Sequence, residues 1–462
     1  MTHYHLIGIG GTGLSAIARV LFERGNTVSG SDMLLSPLAQ ELMNLGIPVS
    51  IGHEAKNILG ADLIIRSSAI PDSNPEIAAA LETNIPILKR REFLSELTTG
   101  SIVISIAGTH GKTTTSSMIA WCLSELGADP SYVIGGTVKN LASNAHAGKG
   151  KYFVIEADEY DRMFLGLDPD VLVITNIEYD HPDCFPTEEK YFDAFHELTE
   201  KIKPGGTLIA CADHPGVVQL LKQIGEKQKT VTYGTIEECN YRIEDLTHTP
   251  GFGVAFSLNY PIIEAKEKSN DRISLPIPGT HNAFNAAAAI AVIKTIGLST
   301  QNAIHALEKF KGTGRRFDIL GIAAGITIVD DYAHHPTEIQ ATISAARCRY
   351  PDRRIWTVWQ PHTYSRTKEL FDDFIVSFNE SDHVIVTEIY ASREKENSFS
   401  STKVVESMDH PDVCYIAHLK DVTEFLKKKL KDGDILLVLS AGDANRISQE
   451  MLNYFIDQEV AL

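Results

Sequence analysis

Residues 102–125 read IVISIAGTHGKTTTSSMIAWCLSE. The apolar run Ile102–Ala107 predicts a buried strand, Gly108–Gly111 a glycine-bearing turn, and the residues after Lys112 a helix. Backbone N–H groups of such a turn cradle phosphates at a helix N-terminus. Lys112 then has the reach to meet β- and γ-phosphate oxygens, and the Thr113 hydroxyl suits Mg²⁺. Ile106, not a glycine, stands five residues before Gly111, so the loop is a shortened GxxGKT. The stretch predicts a P-loop-type ATPase domain.

Working outward, the N-terminal side carries a second glycine turn, Gly8-Ile-Gly10-Gly11-Thr12-Gly13, after the apolar HLI. Asp32 follows about twenty residues on, at the expected end of the next strand. Taken alone this pattern suggests a dinucleotide, but its physical content is only a close backbone approach to a phosphate. On the C-terminal side, YFVIEADE ends in Glu156, Asp158 and Glu159, and VLVITNIEYDH ends in Glu178, Asp180 and His181. Carboxylates and an imidazole at strand ends beside a phosphate turn suit Mg²⁺ or Mn²⁺ held against a triphosphate.

The chain has 462 residues, 42 Lys+Arg against 60 Asp+Glu and a formal charge of −18. That balance argues against a nucleic-acid or anionic-membrane surface. With 43% hydrophobic and 22% charged residues the chain has enough apolar surface for packed cores, which excludes wholesale disorder. Six cysteines lie apart without a CxxC, as in a reducing compartment. The opening MTHYHLIGIGGTG lacks a signal-peptide pattern, and the uncharged run Ile273–Ile293 is interrupted by Pro276, Pro278, His281, Asn282 and Asn285. A soluble cytoplasmic protein without membrane insertion is expected.

Alternating strand and helix patterns predict three α/β domains: a Rossmann-like N-terminal domain (1–100), the central ATP-binding domain (101–312) and a Rossmann-like C-terminal domain (313–462). Between Thr230 and Ser274 the short alternating stretches predict an antiparallel side sheet. Two phosphate-binding turns in separate domains suggest that a γ-phosphate passes to a second, phosphate-bearing substrate.

GTHGKTTT, EADEYD, TNIEYDH, PGTHNAFNAAAA, GTGRRFD, DDYAHHPTE and QPHTYSRT occur in this order, and together they resemble the Mur ligases of peptidoglycan synthesis over essentially the whole chain. The resemblance implies ATP-dependent amide formation between the carboxylate of UDP-N-acetylmuramate and an amino acid, L-alanine first, through an acyl phosphate. It implies that Gly10, Gly11, Thr12, Gly13, Asp32, Ser67 and Ser68 hold the UDP-sugar. Gly108, Thr109, His110, Gly111, Lys112, Thr113 and Thr114 would hold the ATP phosphates. His281, Asn282 and Asn285 would meet the adenine side, and Arg315, with Arg316 beside it, and Asp331 would close over ATP. Thr113, Glu156 and His181 would hold Mg²⁺ (or Mn²⁺), with Lys112, Glu156 and His181 as the catalytic set. Tyr332, His334, His362 and Arg366 would face the sugar acid and the incoming amino acid. Partners are then small molecules, with the chain a monomer or homodimer.

Two departures leave the amine open. Tyr160 stands where serine is common in alanine-adding members and resembles the ligase that reattaches a recycled tripeptide. Thr363 stands where arginine is common, which makes Arg366 the expected carboxylate anchor. Phe195 and His196 occupy the place of a lysine that some members carbamylate. Glycine, serine or the tripeptide therefore remain alternatives to L-alanine. A nicotinamide-dependent oxidoreductase and a non-catalytic nucleotide sensor are the competing classes; the first leaves GTHGKTTT without a role, and the second leaves Lys112, Thr113, Glu156 and His181 unexplained. Trp356 and Trp359 are expected in a core, His3, His5 and His53 at the surface or in turns, and Lys427–Lys429 on a solvated helix end.

Overall fold

The structure, a computed structural model, describes residues 1–262, 267–395 and 398–461. Among the described residues there are three sheets, each interleaved with helices, so the expected α/β class holds. The first has five strands in the order β3-β2-β1-β4-β5: β1 (His3–Ile7), β2 (Thr27–Asp32), β3 (Val49–Ile51), β4 (Leu63–Arg66) and β5 (Ile87–Lys89). All its pairings are parallel. Both glycine turns and the strand-end carboxylates therefore fall at carboxyl ends of strands, where open α/β sheets bind ligands.

The chain divides into two compact units. The first holds this sheet and the strands β6 (Ile102–Ala107), β7 (Ser131–Val138), β8 (Ser143–His146), β9 (Tyr152–Glu156), β10 (Val171–Ile174), β11 (Thr207–Cys211) and β12 (Thr230–Gly234). Their order is β12-β11-β10-β6-β9-β7-β8, parallel except for β7 against β8. Val103, Ile104, Phe153, Val154, Leu172 and Val173 are all buried, as expected of strands covered on both faces. The next strand, β13 (Tyr241–His248), begins in this unit beside β12 and leaves it at Ile243.

In the second unit β14 (Val254–Ile262) and β15 (Glu267–Leu275) form an antiparallel hairpin next to β13. The expected antiparallel side sheet is thus limited to this hairpin region, because β12 joins both β11 and β13 in parallel. The same unit holds β16 (Asp318–Ala323), β17 (Ile326–Asp331), β18 (Ile355–Gln360), β19 (His383–Val386), β20 (Val413–Tyr415) and β21 (Ile435–Ser440). Their order is β16-β17-β21-β18-β19-β20, with only β16 antiparallel. Trp356 and Trp359 lie on opposite faces of β18 in two buried clusters, as their apolar setting predicted. Among the described residues no helix is long and apolar enough to cross a membrane.

His5 departs from its expected surface position. It is buried on β1, with Nε2 3.1 Å from the buried Glu76 carboxylate, which also accepts from Ser31 and Asn57. Burial alone would raise the Glu76 pKa, but these hydrogen bonds bring it down to about 2. An imidazole surrounded by such partners is stable inside a sheet, a pairing invisible to periodicity.

Candidate active site

The turn after β6 is fixed from the neighbouring strand. The Thr175 hydroxyl, just past β10, donates to the His110 carbonyl (2.6 Å), and the His110 N–H donates to Asn176 Oδ1 (2.8 Å). Thr109 Oγ1 donates to the Glu178 carbonyl (2.8 Å), and His110 Nε2 lies 2.9 Å from Glu178 Oε2. Gly108 has φ +133°, and a Cβ there would come within 2.0 Å of Thr175 Oγ1. Only glycine fits both the conformation and the space. Gly111, φ +81°, caps the helix Lys112–Glu125, whose first N–H groups open onto the turn.

Lys112 folds back into this turn. Its Nζ donates to the Gly108 carbonyl (2.6 Å) and the Thr109 carbonyl (3.0 Å), and lies 2.8 Å from Glu159. Burial opposes the charge on Lys112, but the carboxylates of Glu159, Glu156 and Asp158 outweigh it and raise the pKa, so the ammonium persists. Thr113 Oγ1 donates to Glu156 Oε1 (3.0 Å), and Glu156 Oε2 accepts from the Gly135 N–H (2.7 Å). Two hard oxygen donors beside a phosphate turn fit a small divalent cation such as Mg²⁺.

The first glycine turn is equally ordered. Gly8 and Ile9 donate to the Ser31 carbonyl at the end of β2, and Gly10 donates to Asp32 Oδ2 (2.9 Å). Ser36 Oγ donates to the Gly10 carbonyl (2.9 Å). Gly11, Thr12 and Gly13 begin the helix Thr12–Glu23. Ser67 abuts Gly8, while Ser68 is exposed on the same loop. Asp32 thus braces the turn itself.

The remaining expected site residues belong to the second unit. His181 (φ +58°) sits beside Asp180, and Arg366 clasps both: Nε donates to Asp180 Oδ1 at 2.7 Å and Nη2 lies 3.3 Å from His181 Nδ1. Arg366 Nη1 faces His362 Nδ1 at 3.1 Å. Burial would raise the Asp180 pKa, but Arg366 first, then His181, His335 and His334, hold it well below the usual carboxylate range. Burial, His334 and Arg366 push His362 down to about 3, leaving a neutral imidazole. The guanidinium expected to anchor a carboxylate is therefore already engaged within the protein.

Asn282 Nδ2 donates to the Pro278 carbonyl (2.7 Å) and Asn285 Nδ2 to Asn282 Oδ1 (3.1 Å), at the start of the helix Thr280–Thr295. His281 is held down to about 4 by burial and then by Arg316, so it too is neutral. Arg315 pairs with Asp330 (3.2 Å) rather than Asp331. Asp331 instead accepts from the N–H groups of Phe317 and Ala333, both at 2.7 Å. Burial raises both carboxyls to about 6. The guanidiniums of Arg315 and Arg316 lie 5.0 and 5.2 Å from the Tyr332 ring centre, and His334 packs edge-on to that ring.

The geometry accords with what the chain matches. The Mur ligase middle domain matches residues 106–293, the Mur ligase family catalytic domain residues 3–101, and the Mur ligase glutamate ligase domain residues 315–442. The chain belongs to the Mur ligase family. A UDP-N-acetylmuramate–L-alanine ligase of Geobacter sp. strain M21 is 40% identical over 452 residues, covering 97% of this chain and 96% of that one. The crystal structure of a UDP-N-acetylmuramate–alanine ligase from Thermotoga maritima is similar with a TM-score of 0.82 at 27% identity, covering 99% of this chain and all of that one. A murein peptide ligase from Psychrobacter arcticus gives 0.73 at 27% identity, over 98% and 99% of the two chains.

Two partners escaped the sequence reading of this Mur ligase. Glu159 was grouped with the strand-end carboxylates suited to a divalent cation, and it is the ion-pair partner of Lys112. Asp330, next to the expected Asp331, is the residue that meets Arg315. Alternation along β17 shows that the two carboxylates point to opposite faces, but not which one finds an arginine.

Proposed function

We propose that this chain joins L-alanine to the carboxylate of UDP-N-acetylmuramate at the expense of ATP, in cytoplasmic peptidoglycan precursor synthesis. The observation that carries the reading is the ordered GTHGKT turn, with Lys112 on Glu159 and Thr113 on Glu156, in a chain matched along 97% of its length by a relative of that name. We take the domains as 1–100 for the UDP-sugar, 101–312 for ATP and 313–462 for the amino acid, in a monomer or homodimer.

In this reading Lys112 leaves Glu159 for the β/γ-phosphates, and Gly108–Thr114 cradle them through backbone N–H groups. Thr113 and Glu156, with His181, would hold Mg²⁺, which when bound offsets repulsion between the two anionic reactants. The lactyl carboxylate attacks the γ-phosphorus and ADP departs. The neutral amine then attacks the acyl carbon, releasing inorganic phosphate and a proton and leaving an amide. Positioning and electrostatics supply most of the catalysis. Neutral His281, with Asn282 and Asn285, suits an uncharged adenine. Tyr332, His334 and His362 face the amino-acid side. Arg366 acts through its clasp on Asp180 and His181.

The Psychrobacter relative keeps a second reading alive, since Tyr160 resembles the tripeptide-attaching ligases. A phosphate-release screen with UDP-N-acetylmuramate and ATP over L-alanine, glycine, L-serine and the tripeptide tests both. Release that needs the UDP-sugar and is fastest with L-alanine supports the proposal; release fastest with the tripeptide replaces it.

A further inference from the structure

Arg90 has no role in the motifs, yet it stands between two of them. It follows β5 directly and opens the helix Arg90–Thr98, a strand-end position like those of the other ligand-facing groups. Its guanidinium lies flat against Gly13, where a Cβ would come within 2.2 Å of Cζ and Nη1. The third glycine of GxGxxG therefore makes room for a cation at the first turn of the helix Thr12–Glu23. On its other side Nη1 reaches Asp158 only at 4.0 Å, too long for a hydrogen bond, and Nε is buried with no hydrogen-bond partner. A guanidinium carries five N–H donors in a fixed fork, so this one has donors to spare.

The placement is rigid. The helix Arg90–Thr98 packs on the turn Tyr160–Gly166, where a Cβ at Gly166 would meet the Arg91 carbonyl at 2.0 Å. Ser95 Oγ also donates to Asp168 (3.1 Å). Burial lowers the Arg90 pKa and the nearby carboxylates of Asp158 and Glu156 offset this only in part, without threatening a charge as persistent as guanidinium.

We propose that Arg90 binds the diphosphate of the nucleotide-sugar across the Gly10–Gly13 turn, its guanidinium placed there by packing against Gly13. Bidentate donation from a preorganised guanidinium is the chemistry that favours a diphosphate over a monoanion. The inference rests on the proposed function, because it takes the first glycine turn as the UDP-sugar site.

The test measures KM for UDP-N-acetylmuramate, KM for ATP and the inhibition constant of UDP alone, in wild type, Arg90→Ala, Arg90→Lys and Gly13→Ala. The thermal midpoint of each variant is recorded to confirm folding. Arg90→Ala is expected to raise both the UDP-sugar KM and the UDP inhibition constant at least tenfold, with the ATP KM within twofold. Arg90→Lys, a point charge without the fork, is expected to fall between. Gly13→Ala, which displaces the guanidinium, is expected to resemble Arg90→Ala. A folded Arg90→Ala enzyme with an unchanged UDP inhibition constant overturns the inference while leaving the ligase assignment intact. A wild-type enzyme that makes no ADP with UDP-N-acetylmuramate and L-alanine overturns the assignment itself.

Discussion

Arg366 and Asp180 form a buried ion pair, Nε to Oδ1 at 2.7 Å, with side chains 4% and 5% exposed. The guanidinium also touches His181 and His362, so one arginine holds together two residues that the sequence groups as a cation site and one that it places on the amino-acid side. Asp180→Asn leaves that charge uncompensated, and breaking a buried pair from one side costs on the order of 3 kcal/mol. The thermal midpoint of Asp180→Asn should fall clearly below wild type at pH 7. Asp180 has a folded pKa well below its unfolded value of about 3.9, so its contribution is complete above that value and fades as the pH drops through the lower one. The gap between wild type and Asp180→Asn should therefore narrow below about pH 4. A gap independent of pH down to the acid transition would refute the ion-pair account.

Lys112 and Glu159 predict a division of labour. Lys112→Ala should reduce kcat by about a hundredfold or more, the scale of losing a preorganised charge at a transferring phosphoryl group. UDP-sugar affinity, which the proposed site at the first glycine turn would set, should stay within twofold of wild type by titration calorimetry. Glu159→Gln should keep measurable turnover but lower the thermal midpoint, because it removes the charge that compensates the nearly buried Lys112 ammonium in the free enzyme.

Gly108→Ala should raise the KM for ATP at least tenfold. The added Cβ would sit 2.0 Å from Thr175 Oγ1 in a left-handed backbone conformation. Adding Thr175→Ala removes the nearest clash but leaves the Asn176 backbone at 3.0 and 3.1 Å and the conformational strain, so the double variant should recover only part of the loss. Full recovery would mean that the conformation of Gly108 is unimportant.

Much of this was legible in the chain. Gly108, Lys112 and Thr113 form one strand–turn–helix, as their spacing over a few residues predicts. The same holds for Gly8–Gly13 with Asp32, which braces the turn it was paired with by spacing. Residues that meet across the fold were not legible: Glu159 on Lys112, Asp330 on Arg315, Arg90 on Gly13. Each joins segments tens of residues from one another or chooses between two adjacent carboxylates, and periodicity carries no such information. Arg366 shows the converse. Its motif marked it as functional, but only the structure reveals that each of its three nitrogens faces Asp180 or one of the two histidines.

Asp331 gives a pH prediction. Its carboxyl is raised to about 6 by burial, so it is charged at pH 8 and largely protonated at pH 5. If its charge serves ATP binding, kcat/KM for ATP should fall by up to about tenfold for each pH step below 6. His281, already neutral down to about 4, should add nothing to that limb. Asp331→Asn should be slow and flat over the same range. An acid limb that survives in Asp331→Asn would place the titrating group elsewhere.

In the proposed reaction the γ-phosphate is handed to the sugar's carboxylate before the amine attacks. UDP-N-acetylmuramate labelled with heavy oxygen in its lactyl carboxylate, turned over with ATP and L-alanine, tests this by mass spectrometry of the released phosphate. One labelled oxygen should be transferred to phosphate for each amide formed. Phosphate carrying no label, with amide still produced, would contradict it.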